Sequence, residues 1–194
     1  MRNLSVCAVL LLLPALVHAA PIVNPIETVN GAWSKELHGV RARLIATSLA
    51  AYKDKPQLGL AVEIENASDS ATPISIWWGY LGDMLTLTLE DEAGKPCAMA
   101  GIGGNHIDGP PFRLPLPVGT TLRATISSGA LEYVPSGRVL LRPFSLVAWE
   151  LAPTRSSKLY LRAKLAPGAP TDGKRASWSG PLELPRIALP LPAK

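Results

Sequence analysis

The sequence predicts an all-β fold, an antiparallel sandwich, from three observations. Between residues 58 and 65 every second side chain is a large aliphatic one, and the residues between them are glycine, alanine or glutamate. This period of two is typical of a strand with one buried and one wetter face. A polar turn at 66–70 and Pro73 lead to a second alternating segment at 74–78, as in a sandwich of short strands. Nineteen of the 194 residues are proline, about twice the usual share of ~5 %, which disfavours helix interiors and central strands.

The first nineteen residues are predicted to be a secretory signal peptide. Arg2 supplies a positive start, and residues 4–17 form an apolar centre. Val17-His18-Ala19 then places compact residues at the −3 and −1 positions of a cleavage site after Ala19. The apolar segment is too short for a typical membrane-spanning helix. The mature chain is therefore expected in the periplasm or outside the cell, without stable membrane insertion; an uncleaved anchor is the alternative.

Residues 20–38 follow as an extended lead-in with proline and glycine breakers, and Trp33 is expected to fold back on the sandwich. One sandwich domain is predicted over residues 39–194, ending in a proline-rich segment. Its first strand begins near Val40. The continuation at 45–52 is read as strand, although its apolar residues also fit helical spacing.

Further strands are predicted where aliphatic residues alternate with polar ones. These segments are 58–65, 74–78, 85–90, 95–99, 122–126, 138–148 and 159–165, and the tail can supply an edge strand near Leu182 or Ile187. Residues 53–56 and 91–94 are predicted as turns, and residues 100–117, rich in glycine and proline, as the longest loop. Eight or nine short strands fit an immunoglobulin-like sandwich best, and a partly closed barrel would give much the same pattern.

Signal cleavage removes Cys7 and leaves Cys97 as the one cysteine, so an intramolecular disulfide cannot form. Cys97 follows a predicted hairpin turn, which favours a buried thiol over an intermolecular disulfide. The net charge falls from +4 to +3 with the loss of the one charge of Arg2. The remaining basic residues are scattered, which argues against a nucleic-acid surface. A monomer is expected.

Catalytic motifs are few. The sequence contains no H-E-x-x-H, C-x-x-C or G-x-S-x-G motif. Residues 168–174 match G-x-x-x-x-G-K, the start of a phosphate loop, but Arg175 replaces the hydroxyl residue that magnesium needs, and no helix can follow. We interpret this segment as a loop between strands, and no cofactor is predicted.

Asn105-His106-Ile107-Asp108 lies in the predicted loop 100–117. An imidazole and a carboxylate two residues apart can bind one ion, so His106 and Asp108 are the candidate metal or catalytic pair. The alternative is that the Asn and Asp side chains cap turns while His106 is exposed. This alternative is favoured by the small number of ligands, since no partner cluster can be identified.

The aromatic residues after Pro73 are the candidate binding group. On a strand, Trp78 shares a face with Ile74 and Ile76 and is expected in the core, whereas Trp77 falls on the other face. An outward indole can stack on a sugar ring or anchor a protein partner, so Trp77 and Tyr80 are predicted as binding residues. Alternatively, Trp77 is covered by the lead-in around Trp33 or by the tail around Trp178.

A pattern is formed by Trp33, the strand Gly39-Val40-Arg41-Ala42-Arg43-Leu44, residues 58–66 with the turn Asn66-Ala67-Ser68, Pro73-Ile74 and residues 91–96. This pattern resembles uncharacterised secreted bacterial proteins with an immunoglobulin-like sandwich, over roughly residues 33–96. The resemblance implies the sandwich fold and supplies no activity or functional residues. Asn66-Ala67-Ser68 also fits a glycosylation acceptor, or is simply the turn.

These features predict a secreted, non-enzymatic β-sandwich module that binds a protein or carbohydrate partner. One alternative is a metal-dependent or hydrolytic enzyme whose site lies in loop 100–117 around His106 and Asp108. A second alternative is a protease inhibitor that presents this loop, since a proline-rich loop loses little entropy on docking.

Overall fold

The computed structural model shows a chain built mainly from β-strands. It describes residues 27–52, 55–70, 73–78, 84–97, 99–102, 112–127, 131–133, 139–144, 147–151, 158–167 and 178–190. The predicted signal peptide, residues 1–19, lies outside these ranges. Within them, no helix has the length and apolar character needed to cross a membrane.

Thirteen strands run through the described part of the chain. In order they are β1 (Thr28–Asn30), β2 (Val40–Tyr52), β3 (Lys55–Asn66), β4 (Ile74–Trp78), β5 (Leu85–Glu90), β6 (Met99–Ile102), β7 (Phe112–Leu116), β8 (Thr121–Ser127), β9 (Leu131–Tyr133), β10 (Val139–Phe144), β11 (Val147–Leu151), β12 (Tyr160–Leu165) and β13 (Leu182–Ala188). They form four antiparallel sheets, ordered β1-β2-β3-β8, β13-β12-β5, β4-β7 and β6-β11-β10-β9. The predicted all-β, sandwich-like fold is confirmed, and the sheets do not form one closed barrel.

The core lies between the β1-β2-β3-β8 sheet and the β13-β12-β5 sheet, with β13 packed against β2. Alternate residues of each strand enter it, as the period of two predicts. Its members include Val40, Ala42, Leu44, Ala46, Leu58, Leu60, Val62 and Ile64 on one side and Leu161, Ala163, Leu165, Leu182, Leu184 and Ile187 on the other. Full burial of one large aliphatic side chain contributes about 1.5–3 kcal/mol, so this alternation stabilises the sandwich.

Asn66 joins three segments at one end of the core. Its side chain is fully buried, and its Nδ2 donates to the carbonyl oxygen of Leu116 at 2.8 Å. Its Oδ1 accepts from the backbone N–H and the hydroxyl of Ser68 at 3.1 and 2.7 Å. Its backbone pairs with Thr120 and Gly119. The turn interpretation of Asn66-Ala67-Ser68 is therefore confirmed, because the Asn66 side chain itself closes the turn through Ser68.

A two-residue turn at His38-Gly39 starts β2. Both residues have positive φ, 52° and 78°, as a type I′ hairpin turn requires. Leu37 and Val40 close the turn with reciprocal backbone hydrogen bonds of 2.8 and 3.0 Å. Gly39 also lies against Ser68, because a Cβ at this position would lie 2.6 Å from the Ser68 Cβ. The turn therefore needs glycine for two separate reasons.

The lead-in is more ordered than predicted. Thr28–Asn30 forms β1 and pairs with residues 45–47 of β2. The chain continues along β2, where Gly31 donates to Leu44 and Ser34 to Ala42, each at 2.8 Å. The sandwich therefore begins before residue 39, because these backbone groups complete an edge of the first sheet.

Several predicted boundaries are wrong. Lys55 and Pro56, predicted in a turn, belong to β3. The expected return of residues 95–99 beside β5 is confirmed for residues 95–97, through the Glu90–Pro96 bridge and a hydrogen bond of 2.8 Å from the Cys97 N–H to the Leu89 carbonyl oxygen. Met99, however, begins β6, which pairs with β11. The predicted loop 100–117 has strands at both ends, β6 and β7. The predicted connection 127–137 contains β9.

The edge strand predicted in the tail is confirmed as β13. It pairs with β12, and a bulge near Pro185 lies opposite Arg162. Proline is tolerated there because the ladder is already interrupted. The bulge also explains why Leu184 and Ile187, three residues apart, are both buried.

Trp178, just before β13, is fully buried in the core. Its indole Nε1 has no hydrogen-bond partner in the described structure. An unsatisfied buried donor costs about 1–3 kcal/mol, which the burial of the large ring offsets.

The Gly39→Ala substitution is expected to destabilise the protein more than Gly119→Ala. Gly119 also has positive φ, 69°, but a Cβ there meets nothing within 4 Å. The loss of stability in Gly119→Ala therefore measures backbone strain alone, which is about 1–2 kcal/mol. Gly39→Ala adds the clash with Ser68 and Ile74, and overpacking costs about 1–3 kcal/mol more. Denaturant unfolding of both variants measures the difference. Equal losses would show that the contact with Ser68 does not constrain this turn.

Candidate functional site

The two main sheets each present a charged outer face, and the two faces differ in how their charges are paired. The β2–β3 face consists of Trp33, Arg41, Arg43, Glu63, Glu65 and Arg123. The β12 face consists of Glu90, Lys158, Tyr160, Arg162, Lys164, Glu183 and Arg186. Both arise from the strand period, since the residues between them fill the core.

On the β2–β3 face, arginine and glutamate stand opposite each other across the strands. Arg41 Nε and Nη2 donate to the two carboxylate oxygens of Glu65 at 2.9 and 3.1 Å. Arg43 Nε donates to Glu63 at 2.8 Å, and Arg123 lies 3.8 Å from the second oxygen of Glu63. The hydrogen bond to Glu65 is the main cause that raises the pKa of Arg41. Each cation of this face thus already has a carboxylate partner.

Trp33 lies over this ladder. The guanidinium carbons of Arg41 and Arg43 are 4.9 and 4.4 Å from its ring centroid, which is cation–π geometry. The expectation that Trp33 folds back on the sandwich is confirmed. We assign the β2–β3 face a structural role, because its charged groups satisfy one another.

The β12 face is formed mainly by β12 and by the two residues that precede it. Leu159, Leu161, Ala163 and Leu165 are buried, so the residues between them face outward. These outward residues are Lys158, Tyr160, Arg162 and Lys164. At about 3.4 Å per residue, the stripe from Lys158 to Lys164 is about 20 Å long. It therefore forms a basic line, with one aromatic residue in it, along the central strand of the sheet.

Arg162 is the anchored member of the stripe. Its Nη2 lies 3.1 Å from Oε1 of Glu90, whose side chain is only 4 % exposed. A buried carboxylate requires a partner, and Glu90 therefore fixes the position of the Arg162 guanidinium. The charge of Arg162 is largely balanced by this contact.

Arg186 is the exposed arginine of the β12 face that has no carboxylate partner in the described structure. Its guanidinium carbon lies 4.5 Å from the ring centroid of Tyr160, and the bulge of β13 places it there. In the described structure it pairs with no carboxylate, and neither does the exposed Lys158. Lys164 contacts Glu183 at 3.3 Å, but both side chains are more than half exposed, so this pair is weak and exchangeable. The β12 face therefore offers cations that a ligand can engage.

The structure does not bring the predicted binding residues into one described site. Trp77 lies in β4 opposite Arg113 of β7, but its side chain and the whole of Tyr80 lie outside the described residues. The neighbouring Ile74 and Ile76 are buried, which confirms that one face of β4 enters the core. Of the two segments expected to cover Trp77, Trp33 lies over β2 and Trp178 lies in the core.

The predicted metal pair, His106 and Asp108, also lies outside the described residues. Among the residues that the structure does describe, no group of three or more His, Cys, Asp or Glu side chains could hold a metal ion.

Cys97 is half-buried against the core and is not in a disulfide. Burial raises the pKa of its thiol, and the negative charges of Asp91 and Glu90 raise it further. A raised pKa lowers the thiolate fraction at neutral pH, so the site does not favour a nucleophilic cysteine.

Sequence reasoning overlooked the β12 face. The alternation over 158–165 is visible in the sequence and predicted the strand, but the basic residues were judged scattered. What the sequence does not contain is the register that places Arg186, 24 positions after Arg162, beside Tyr160.

Comparison of the chain with protein-family models, with curated proteins and with solved structures finds no significant match.

Arg162→Ala is expected to lower the free energy of unfolding by about 1–3 kcal/mol, because it leaves the buried Glu90 carboxylate without its partner. Arg123→Ala is the matched control. The two arginine side chains are 54 % and 55 % exposed, but Glu63 keeps Arg43 when Arg123 is removed. The control is expected to change stability by no more than about 0.5 kcal/mol. Equal effects in urea unfolding would show that Glu90 does not depend on Arg162.

Alkylation of Cys97 is expected to have a pH midpoint above that of an unstructured cysteine peptide, because its thiol pKa is raised. Asp91→Asn removes one negative charge and keeps the Oδ1 that accepts from the Lys95 N–H at 2.8 Å. This variant should react faster with iodoacetamide at pH 8, whereas Glu92→Gln should not. A midpoint at or below that of the peptide would contradict the assigned environment.

Proposed function

We propose that this chain is the precursor of a secreted or periplasmic, non-enzymatic β-sandwich module that binds a protein or glycan partner through the β12 face. The observation that carries the proposal is the contrast between the two outer faces. The arginines of the β2–β3 face are all engaged, whereas Arg186 and Lys158 on the β12 face have no carboxylate partner in the described structure.

The order of the β12 face supports a binding role. Arg186 is held on the ring of Tyr160, and Arg162 is held by Glu90. Side chains that are already positioned lose less conformational entropy when a partner docks. Tyrosine and arginine are also enriched among residues that dominate binding energy.

Secretion is supported by the N-terminal sequence. Arg2, the apolar residues 4–17 and Val17-His18-Ala19 have the order of a signal peptide. The resemblance to secreted bacterial sandwich proteins points the same way. We propose cleavage after Ala19 and a mature chain that begins at Ala20.

A ligand panel tests the binding role. The chain beginning at Ala20 is applied to immobilised neutral glycans, acidic glycans, and proteins of low and high isoelectric point. The double variant Lys164→Gln/Arg186→Gln tests the β12 face, and Arg123→Gln, on the β2–β3 face, is the control. We expect at least one class of ligand to retain the wild type and the control, with retention of the double variant about tenfold weaker.

Two outcomes would contradict the proposal. One is that no class retains the wild type. The other is that every variant is retained equally, which would place binding elsewhere on the chain, for instance at the predicted residues Trp77 and Tyr80.

A further inference from the structure

We infer that the ligand of the β12 face is an acidic polysaccharide, a linear glycan that carries carboxylate groups. This inference rests on the proposed function and specifies its partner. Four features of the face lead to it: its charge, its length, and the absence of both an open aromatic ring and an exposed large aliphatic residue among its described side chains.

The positive charge of the β12 face favours an anionic ligand. Lys158, Arg162, Lys164 and Arg186 face outward together, against the two carboxylates of Glu90 and Glu183. The planar guanidinium of Arg186, held over Tyr160, has its donors free for a bidentate pair with a carboxylate.

The length of the β12 face favours a polymeric ligand over a small one. Lys158, Arg162 and Lys164 are spread along a stripe about 20 Å long on β12 and its N-terminal flank, and Arg186 lies beside the stripe on β13. A single small anion would engage one or two of them, whereas an extended chain with regularly spaced carboxylates engages the whole stripe. Once one carboxylate of a polymer is bound, its neighbours are held close to the remaining cations, so several weak ion pairs together give a higher affinity than any one of them.

The covered tyrosine disfavours the stacking modes of binding. Neutral sugars and unpaired nucleotide bases both use an open aromatic face. Tyr160 is half-buried, and Arg186 lies over its ring. The ring therefore serves to hold the arginine and is not free to stack on a ligand.

The polarity of the face disfavours a protein partner. Protein interfaces have an apolar centre. Among the side chains that the structure describes, Val118 is the one exposed large aliphatic residue, and it lies in the turn between β7 and β8 and is not among the residues that form the β12 face. A partner that is polar along its length fits this surface better.

Titration calorimetry with polygalacturonate, a polymer of uronic acids, tests the inference on the chain beginning at Ala20. Dextran is the neutral polymer control, and a single-stranded oligothymidylate is the nucleic-acid probe. The variants are Lys164→Gln/Arg186→Gln and, as control, Arg123→Gln. Lys164 pairs with the exposed Glu183, and Arg186 lies on the uncharged ring of Tyr160, so the double variant leaves no buried charge without a partner. It is therefore expected to fold, and thermal unfolding checks this.

We expect polygalacturonate to bind, with an affinity that falls as salt is added. The double variant should bind about tenfold more weakly, whereas Arg123→Gln should bind like the wild type. Dextran should not bind.

The inference is overturned if polygalacturonate does not bind, if both variants lose affinity equally, or if oligothymidylate binds more tightly than polygalacturonate. Its failure is distinct from failure of the proposed function. Retention of another ligand class by the β12 face in the panel would keep the binding module and reject the polysaccharide, whereas an empty panel would reject both.

Discussion

The register between β2 and β3 is the constraint on which the rest of the structure depends. It runs from Val40 opposite Asn66 to Leu49 opposite Gln57 and assigns each residue to the core or to the outer face. A slip by one position would bring Arg41 and Glu65 into the core and expel the aliphatic residues. One end of the ladder prevents this slip, because there the His38-Gly39 turn fixes the start of β2 and the buried Asn66 fixes the end of β3.

The same alternation gives the molecule two polar faces with different chemistry. On the β2–β3 face, arginine and glutamate side chains lie directly opposite each other, and Trp33 packs over two of the arginines. The charged groups of this face therefore satisfy one another. On the β12 face, the central strand carries mainly cations, and its neighbours supply too few accessible carboxylates to pair them. Glu90 is buried under Arg162, and Arg186 is supported by a ring instead of an anion. This imbalance costs the fold little because the groups are exposed, and it is the physical basis of the binding role that we propose.

Local pattern predicted the long strands and their buried faces well. Residues 58–65, 122–126 and 159–165 alternate cleanly, and the structure places strands at all three. The short strands β1, β6 and β9 were missed, because three or four residues give too little pattern to separate strand from loop. β7 was missed as well, because its five residues include Pro115 and follow a segment rich in glycine and proline. The pairing of β6 with β11 and the stacking of Arg186 on Tyr160 depend on contacts between distant parts of the chain, which a single sequence does not display. Trp77, Tyr80, His106 and Asp108 stay predictions, since their side chains lie outside the described residues.

The most direct test of the binding account is a map of the ligand contact by nuclear magnetic resonance. Backbone amide shifts of the labelled chain from Ala20 are followed during addition of polygalacturonate. The account predicts that shifts concentrate at residues 158–164 and 183–186, while residues 41–43 and 63–65 on the opposite sheet do not move. Shifts confined to the β2–β3 face, or an unchanged spectrum at saturating ligand, would contradict it.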